Sequence, residues 1–192
     1  MNKKVEYYIE KGFPEQWFDY ANELKEAAQA LWKSDSNTYI GYFKGNDFYQ
    51  KKLFSRTYFF LLGVAIENLL KGILISENPN HIKNGKISPE ISSGHNLKKL
   101  SEKINSLDFN GDEIRLFEIL SEVIPYWGKY PIPKDFNQIK EEKFINENLF
   151  IELINIYEKL ELQIYNLNKD GIQGPNGVRF PKLLLTHLEK DK

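Results

Sequence analysis

The chain of 192 residues has no cysteine, which excludes disulfides, thiolate metal ligands and cysteine nucleophiles together. Charge of one sign is not in excess: 26 basic residues face 27 acidic ones, so no global field draws the chain onto nucleic acid or anionic lipid. A local patch remains open. Long apolar runs are missing too. The longest, Tyr58 to Ile66, has nine residues, against roughly 20 needed to cross a bilayer. The opening "MNKKVEYYIEKGF" carries lysines with no apolar core behind them, so no signal peptide, no membrane span and a cytoplasmic location are expected. Neither a phosphate-cradling glycine loop nor histidines or carboxylates at metal-ligand spacing occur, and no metal or cofactor is expected. No segment shows the alternation of a strand over a useful length, and no internal repeat is visible.

What is present is a globular composition, 41% hydrophobic and 28% charged, at a length that suits one core. A single domain over 1–192 is expected, with its core in 14–168 and a Gly/Pro turn and short apolar tail in 169–192. Pro14 opens an amphipathic helix through Trp17, Ala21, Leu24, Ala28 and Leu31. Residues 34–52 read as a long connection whose aromatics, Tyr39, Tyr42, Phe43, Phe48 and Tyr49, pack onto the body or form a partner surface. Ser55 to Ser76 reads as a helix apolar on most sides, the pattern of a central helix. A loop follows from Asn78 to Gly94, then two short helices, the first through Leu97, Leu100, Ile104 and Leu107 and the second around Phe117 and ended or kinked at Pro125, and a long helix from Phe144 to Asn168.

The central helix carries charge in its apolar middle. At about 100° per residue, Arg56, Phe60, Gly63, Glu67 and Lys71 share one stripe. Glu67 and Lys71 stand at i and i+4 with the acid first, the order that favours an ion pair. Gly63, costly inside a helix, marks a close approach by another helix or a ligand. Two readings fit the stripe: a satisfied polar contact at the edge of the core, or a site that takes His95 and the segment "YWGKYPIPK" as partners. His95, after Gly94 and before a helix, reaches a helix end or a carboxylate; as a general base it lacks an evident nucleophile beside it. In "YWGKYPIPK", Tyr126, Trp127 and Tyr130 with Lys129 and Lys134 either plug the core or stack bases and neutralise phosphates.

The ordering "AIENLLKGIL" (65–74), "GHNLKKL" (94–100) and "LSEVIPYWGKYPIP" (120–133) resembles the HEPN domain family. Ala65, Glu67 and Lys71 match its first motif, Gly94, His95 and Leu97 its second, and Lys129, Tyr130 and Pro131 its third. The resemblance implies an all-α, up-and-down bundle of four to five helices, frequently a homodimer, in a family prominent in toxin–antitoxin, phage-defence and RNA-processing systems. Many catalytic members are metal-independent ribonucleases with an Arg-x4–6-His motif at the dimer interface. This chain departs from that motif. Of Arg56, Arg115 and Arg179 only the last is followed at short range by a histidine, His187, with seven residues between, and Lys129 stands where an arginine is expected. The implied function is a non-catalytic or divergent HEPN-like domain protein acting through protein and RNA or nucleotide contacts. The alternatives are a divergent metal-independent ribonuclease working across a homodimer and a structural partner subunit of a nucleotidyltransferase. Catalytic residues are unassigned; the candidate polar cluster is Glu67, Lys71, His95 and Lys129, with Arg56, Tyr130 and His187 behind it.

Overall fold

The computed structural model describes residues 2–34, 39–52, 55–127, 135–138 and 147–185. It is mainly helical, as the periodicity predicts, with two small two-stranded sheets that the sequence reading did not anticipate. Helix α1 spans Lys3–Lys11, capped by the side chain of Asn2, which accepts from the Lys4 N–H. Helix α2 (Pro14–Ser34) starts at the proline, where a missing N–H leaves no bond unmade. Helix α3 covers Ser55–Glu77 and α7 Glu147–Asn168; residues 144–146, expected as its first turn, lie outside the described residues.

Helix α3 is the core element. It packs against α2 and α7, and Phe59, Leu62, Ile66, Leu69, Leu70 and Ile73 are fully buried along it. By length and composition Arg56–Glu77 would cross a bilayer, but 72% of its apolar window is buried against the rest of the chain. Its greasiness is therefore that of a core helix, in a place where three helices meet. The close approach expected at Gly63 is made by a helix: a Cβ there would come within 3.2 Å of Ile124 Cγ1 and Leu120 Cδ2.

Three expectations about the connections need correction. Residues 39–52 form a hairpin, β1 (Tyr39–Lys44) with β2 (Asp47–Lys52), turned through Gly45 at φ +63. Its aromatics do not pack onto the body: Tyr39, Tyr42, Phe43, Phe48 and Tyr49 are 42–73% exposed. The stretch from Asn78 to Gly94 is not a plain loop either. It holds β3 (Ile82–Lys83) and β4 (Lys86–Ile87), joined by Asn84 and Gly85 with φ of 55 and 71, the two positive values that a tight hairpin turn demands. A short helix α4 (Pro89–Ser92) follows, so the segment is folded over the end of α3 and Ile82 and Ile91 are buried. The third correction is length: the helix expected through Leu107 stops early, α5 being only Leu97–Ser101.

Helix α6 (Gly111–Glu122) begins with a capping box, Asn110 accepting from the Glu113 N–H while the Glu113 carboxylate accepts from the Asn110 N–H. Pro125 sits in a widened π turn, Val123–Trp127, because a proline cannot donate the next helical bond. In the described part of the C-terminal tail, Phe180 is buried with its ring 4.6 Å from that of Phe13, and Leu183 and Leu185 are buried.

One core group stands out chemically. Tyr157 on α7 is fully buried, and its hydroxyl has no hydrogen-bond partner among the described residues. Burial first, then the negative charges of Glu161 and Glu26, push its phenol above the usual range. The folded chain thus keeps a proton that the unfolded chain releases above the ordinary value of 10.0, so stability falls as pH rises past that value. We expect Tyr157→Phe to gain about 1 kcal/mol at neutral pH, since an unmet hydroxyl is removed without loss of shape. Urea denaturation at pH 7 and pH 10.5 measures both effects, and the alkaline loss is expected to be shallower in the variant.

Candidate functional site

Glu67 lies in the middle of α3 with its side chain only 4% exposed. A carboxylate at that depth requires partners, and the fold supplies two. Lys71, one turn later and 13% exposed, donates from Nζ to Oε1 at 2.5 Å. His95 Nδ1 lies 2.9 Å from Oε2. Because a carboxylate accepts, Nδ1 carries the proton in this contact. The His95 side chain is 42% exposed, so the cluster runs from a buried acid to an imidazole at the surface.

Local structure fixes the ring. Gly94 takes φ +91, a conformation that side chains rarely adopt, and turns the chain into α5. Asn96 then caps that helix, its side-chain oxygen accepting from the Lys99 N–H at 2.9 Å. The Leu97 N–H donates to Ser121 Oγ on α6, and that hydroxyl donates to the Phe117 carbonyl. His95 is thereby held between an anchored helix start and the acid on α3. The helix start at His95, one of the two partners proposed for the charged stripe, faces Glu67, while residues 128–134 of the other lie outside the described residues.

The other candidates divide in two. Arg56 is on α3 and partly buried, eleven residues before Glu67; at about 1.5 Å per residue it stands roughly 16 Å away along the axis, too far to join the same contact. Lys129, Tyr130 and His187 lie outside the described residues. The HEPN-type third motif, Lys129 to Pro131, is therefore not placed.

Two polar clusters escaped the sequence reading. His81 Nδ1 is 2.8 Å from Ser88 Oγ and 3.7 Å from Glu90 Oε2, a contact closed by the β3–β4 hairpin. Only the Asn-Gly turn between them signals that these residues meet. A cavity of about 290 Å³ beside it is lined by Glu77, His81, Glu90, Lys103 and Asn105. Between α2 and α7 a second cavity, about 480 Å³, is lined by Phe18, Lys25, Glu26, Glu158 and Glu161. Among the described residues, no three histidine, aspartate or glutamate side chains are grouped to hold a metal ion.

Chemically, the Glu67–His95 pair orients an imidazole, as a proton-transfer site requires, but Lys71, the cation at its side, is buried and neutralised by the same acid. Comparison of the chain with protein-family models, with curated proteins and with solved structures finds no match.

Proposed function

We propose that the chain is a HEPN-like, up-and-down helical bundle of the cytoplasm that works by binding, through RNA and protein contacts, rather than by catalysis. The observation that supports this reading is the closure of the polar cluster: one oxygen of Glu67 is held by Lys71 and the other by His95. Metal-free RNA cleavage needs a base and a cation free to meet the phosphate. Here Lys71 is 13% exposed and spent on Glu67, so the cluster ties α5 to α3 and leaves the phosphate without that cation. Sequence adds that the chain has no Arg-x4–6-His motif. A second copy of the chain, or a nucleotidyltransferase, is a protein partner of the kind this reading admits.

A second reading, a divergent ribonuclease, is favoured by one feature, the 2.9 Å contact that orients a half-exposed His95 on a buried acid. End-labelled single-stranded RNA incubated with the purified protein in EDTA separates the two. The binding reading expects intact RNA after hours at 37 °C. Metal-independent cleavage that disappears in His95→Ala would sink it and establish the ribonuclease.

A further inference from the structure

Among the described residues, the β1–β2 hairpin gathers five exposed aromatic side chains, Tyr39, Tyr42, Phe43, Phe48 and Tyr49, on one short element. A lone two-stranded ribbon is marginal in water, and this one presents aromatic side chains on both faces. Strand alternation puts Tyr42 and Tyr49 on one face, stacked at 5.6 Å with 19° between their planes. Phe43 and Phe48 pair on the other at 5.2 Å, and the Phe48 ring lies across Gly41, where a Cβ would come within 2.7 Å of it. These cross-strand pairs stabilise the ribbon but bury little: Phe43 is 73% exposed and Phe48 59%.

The ribbon also carries net positive charge. Lys44, Lys51 and Lys52 against Asp47 leave residues 39–52 at +2, so the remainder of a chain of net charge −1 carries −3. The ribbon is thus a net cationic segment of a weakly acidic chain. Aromatics interleaved with lysine, glutamine, asparagine and glycine, with Ile40 the single aliphatic, match a stacking platform for an anionic strand. A protein-covered surface differs in kind, since lysine is depleted at the cores of protein interfaces. Two aromatic faces also suit a flexible strand that wraps a narrow ribbon.

We infer that the β1–β2 hairpin is a docking site for single-stranded RNA, bases stacking on Tyr42, Phe43, Phe48 and Tyr49 while lysines such as Lys44 neutralise phosphates. This rests on the RNA-contact reading above and names the element that makes the contact. Duplex RNA keeps its bases stacked inside and so offers the ribbon only its phosphates.

The test is fluorescence anisotropy with a labelled, unstructured 15-nucleotide RNA in 50 mM salt. Saturable binding is expected, at least tenfold tighter than to the same sequence as a duplex. Stacking contributes roughly 1–3 kcal/mol per base, so Tyr42→Ala/Tyr49→Ala and Phe43→Ala/Phe48→Ala are each expected to weaken binding at least tenfold. Lys44→Gln is expected to reduce the slope of log affinity against log salt by about 0.7. Far-UV circular dichroism checks the fold, because the ribbon contributes no helix and its variants are expected to keep full helix content.

If the aromatic variants bind the RNA within twofold of the parent protein, the hairpin assignment is wrong while the RNA-contact reading stands. If the parent protein shows no saturable binding up to 100 µM, both fall. Light scattering covers the remaining occupant: a dimer that the aromatic variants dissolve, with RNA affinity unchanged, overturns the proposal in favour of a second copy.

Discussion

Replacing Glu67 by leucine is expected to destabilise the chain by about 3 kcal/mol, because a buried ion pair that loses one member strands the other. Lys71, only 13% exposed, loses its counter-charge, and His95 loses the acceptor for its Nδ1–H. The cost is set below the upper end for buried pairs because His95, 42% exposed, recovers hydration. For a chain of this length the effect corresponds to a fall in Tm of roughly 6–12 °C. Adding Lys71→Met to the same variant is expected to restore most of the stability, since an apolar pair of similar volume needs no counter-charge. Thermal and urea denaturation of the single and double variants at pH 7 measure this. A loss below about 1 kcal/mol in the single variant would place the cluster with ordinary surface pairs and remove its role in fixing α5 on α3.

A comparable loss is expected for Gly72→Val. A Cβ on Gly72 would lie 2.7 Å from Ile164 Cδ1 and 3.2 Å from Trp17 Cβ, so side chains of α2 and α7 both close on α3 at this glycine. The isoleucine methyl can swing aside, but the Trp17 Cβ moves only with its backbone. Two further methyls must force the helices apart, at a cost on the order of 3 kcal/mol. The nearby bonds add to the sensitivity: Ser76 Oγ donates to the Gly72 carbonyl, and Asn168 Nδ2 donates to Ser76 Oγ at 2.7 Å. Gly63→Ala serves as the control, because the atoms it meets at 3.2 Å include the far end of Leu120 and the alanine gains roughly 1 kcal/mol of helix propensity. Denaturation should therefore show Gly63→Ala within about 1 kcal/mol of the parent and Gly72→Val well below it. Equal stability of the parent and Gly72→Val would mean that the three-helix junction has slack that the close contacts conceal.

Sequence alone determined the helical character, the central place of 55–76 and the alignment of Glu67 with Lys71, because a period near 3.6 survives wherever one face of a helix is buried. It also pointed to His95 as the group opposite, since a histidine before a helix start has few other places to reach. The β1–β2 hairpin was invisible for a physical reason. Alternation shows only when one face is apolar and the other polar, and this ribbon carries aromatics on both. Residues 82–87 did carry the Asn-Gly signal, but strands of two residues leave no pattern around it. The third correction, the stop of α5 at Ser101, belongs to tertiary contacts: Glu77 at the end of α3 accepts from the backbone N–H groups of Asn105 and Ser106, which turns the chain away from helix. What only the tertiary structure decided is depth. Glu67 at 4% exposure, Tyr157 without a partner among the described residues and Phe43 at 73% exposure follow from which surfaces the helices cover, and no periodicity along the chain encodes that.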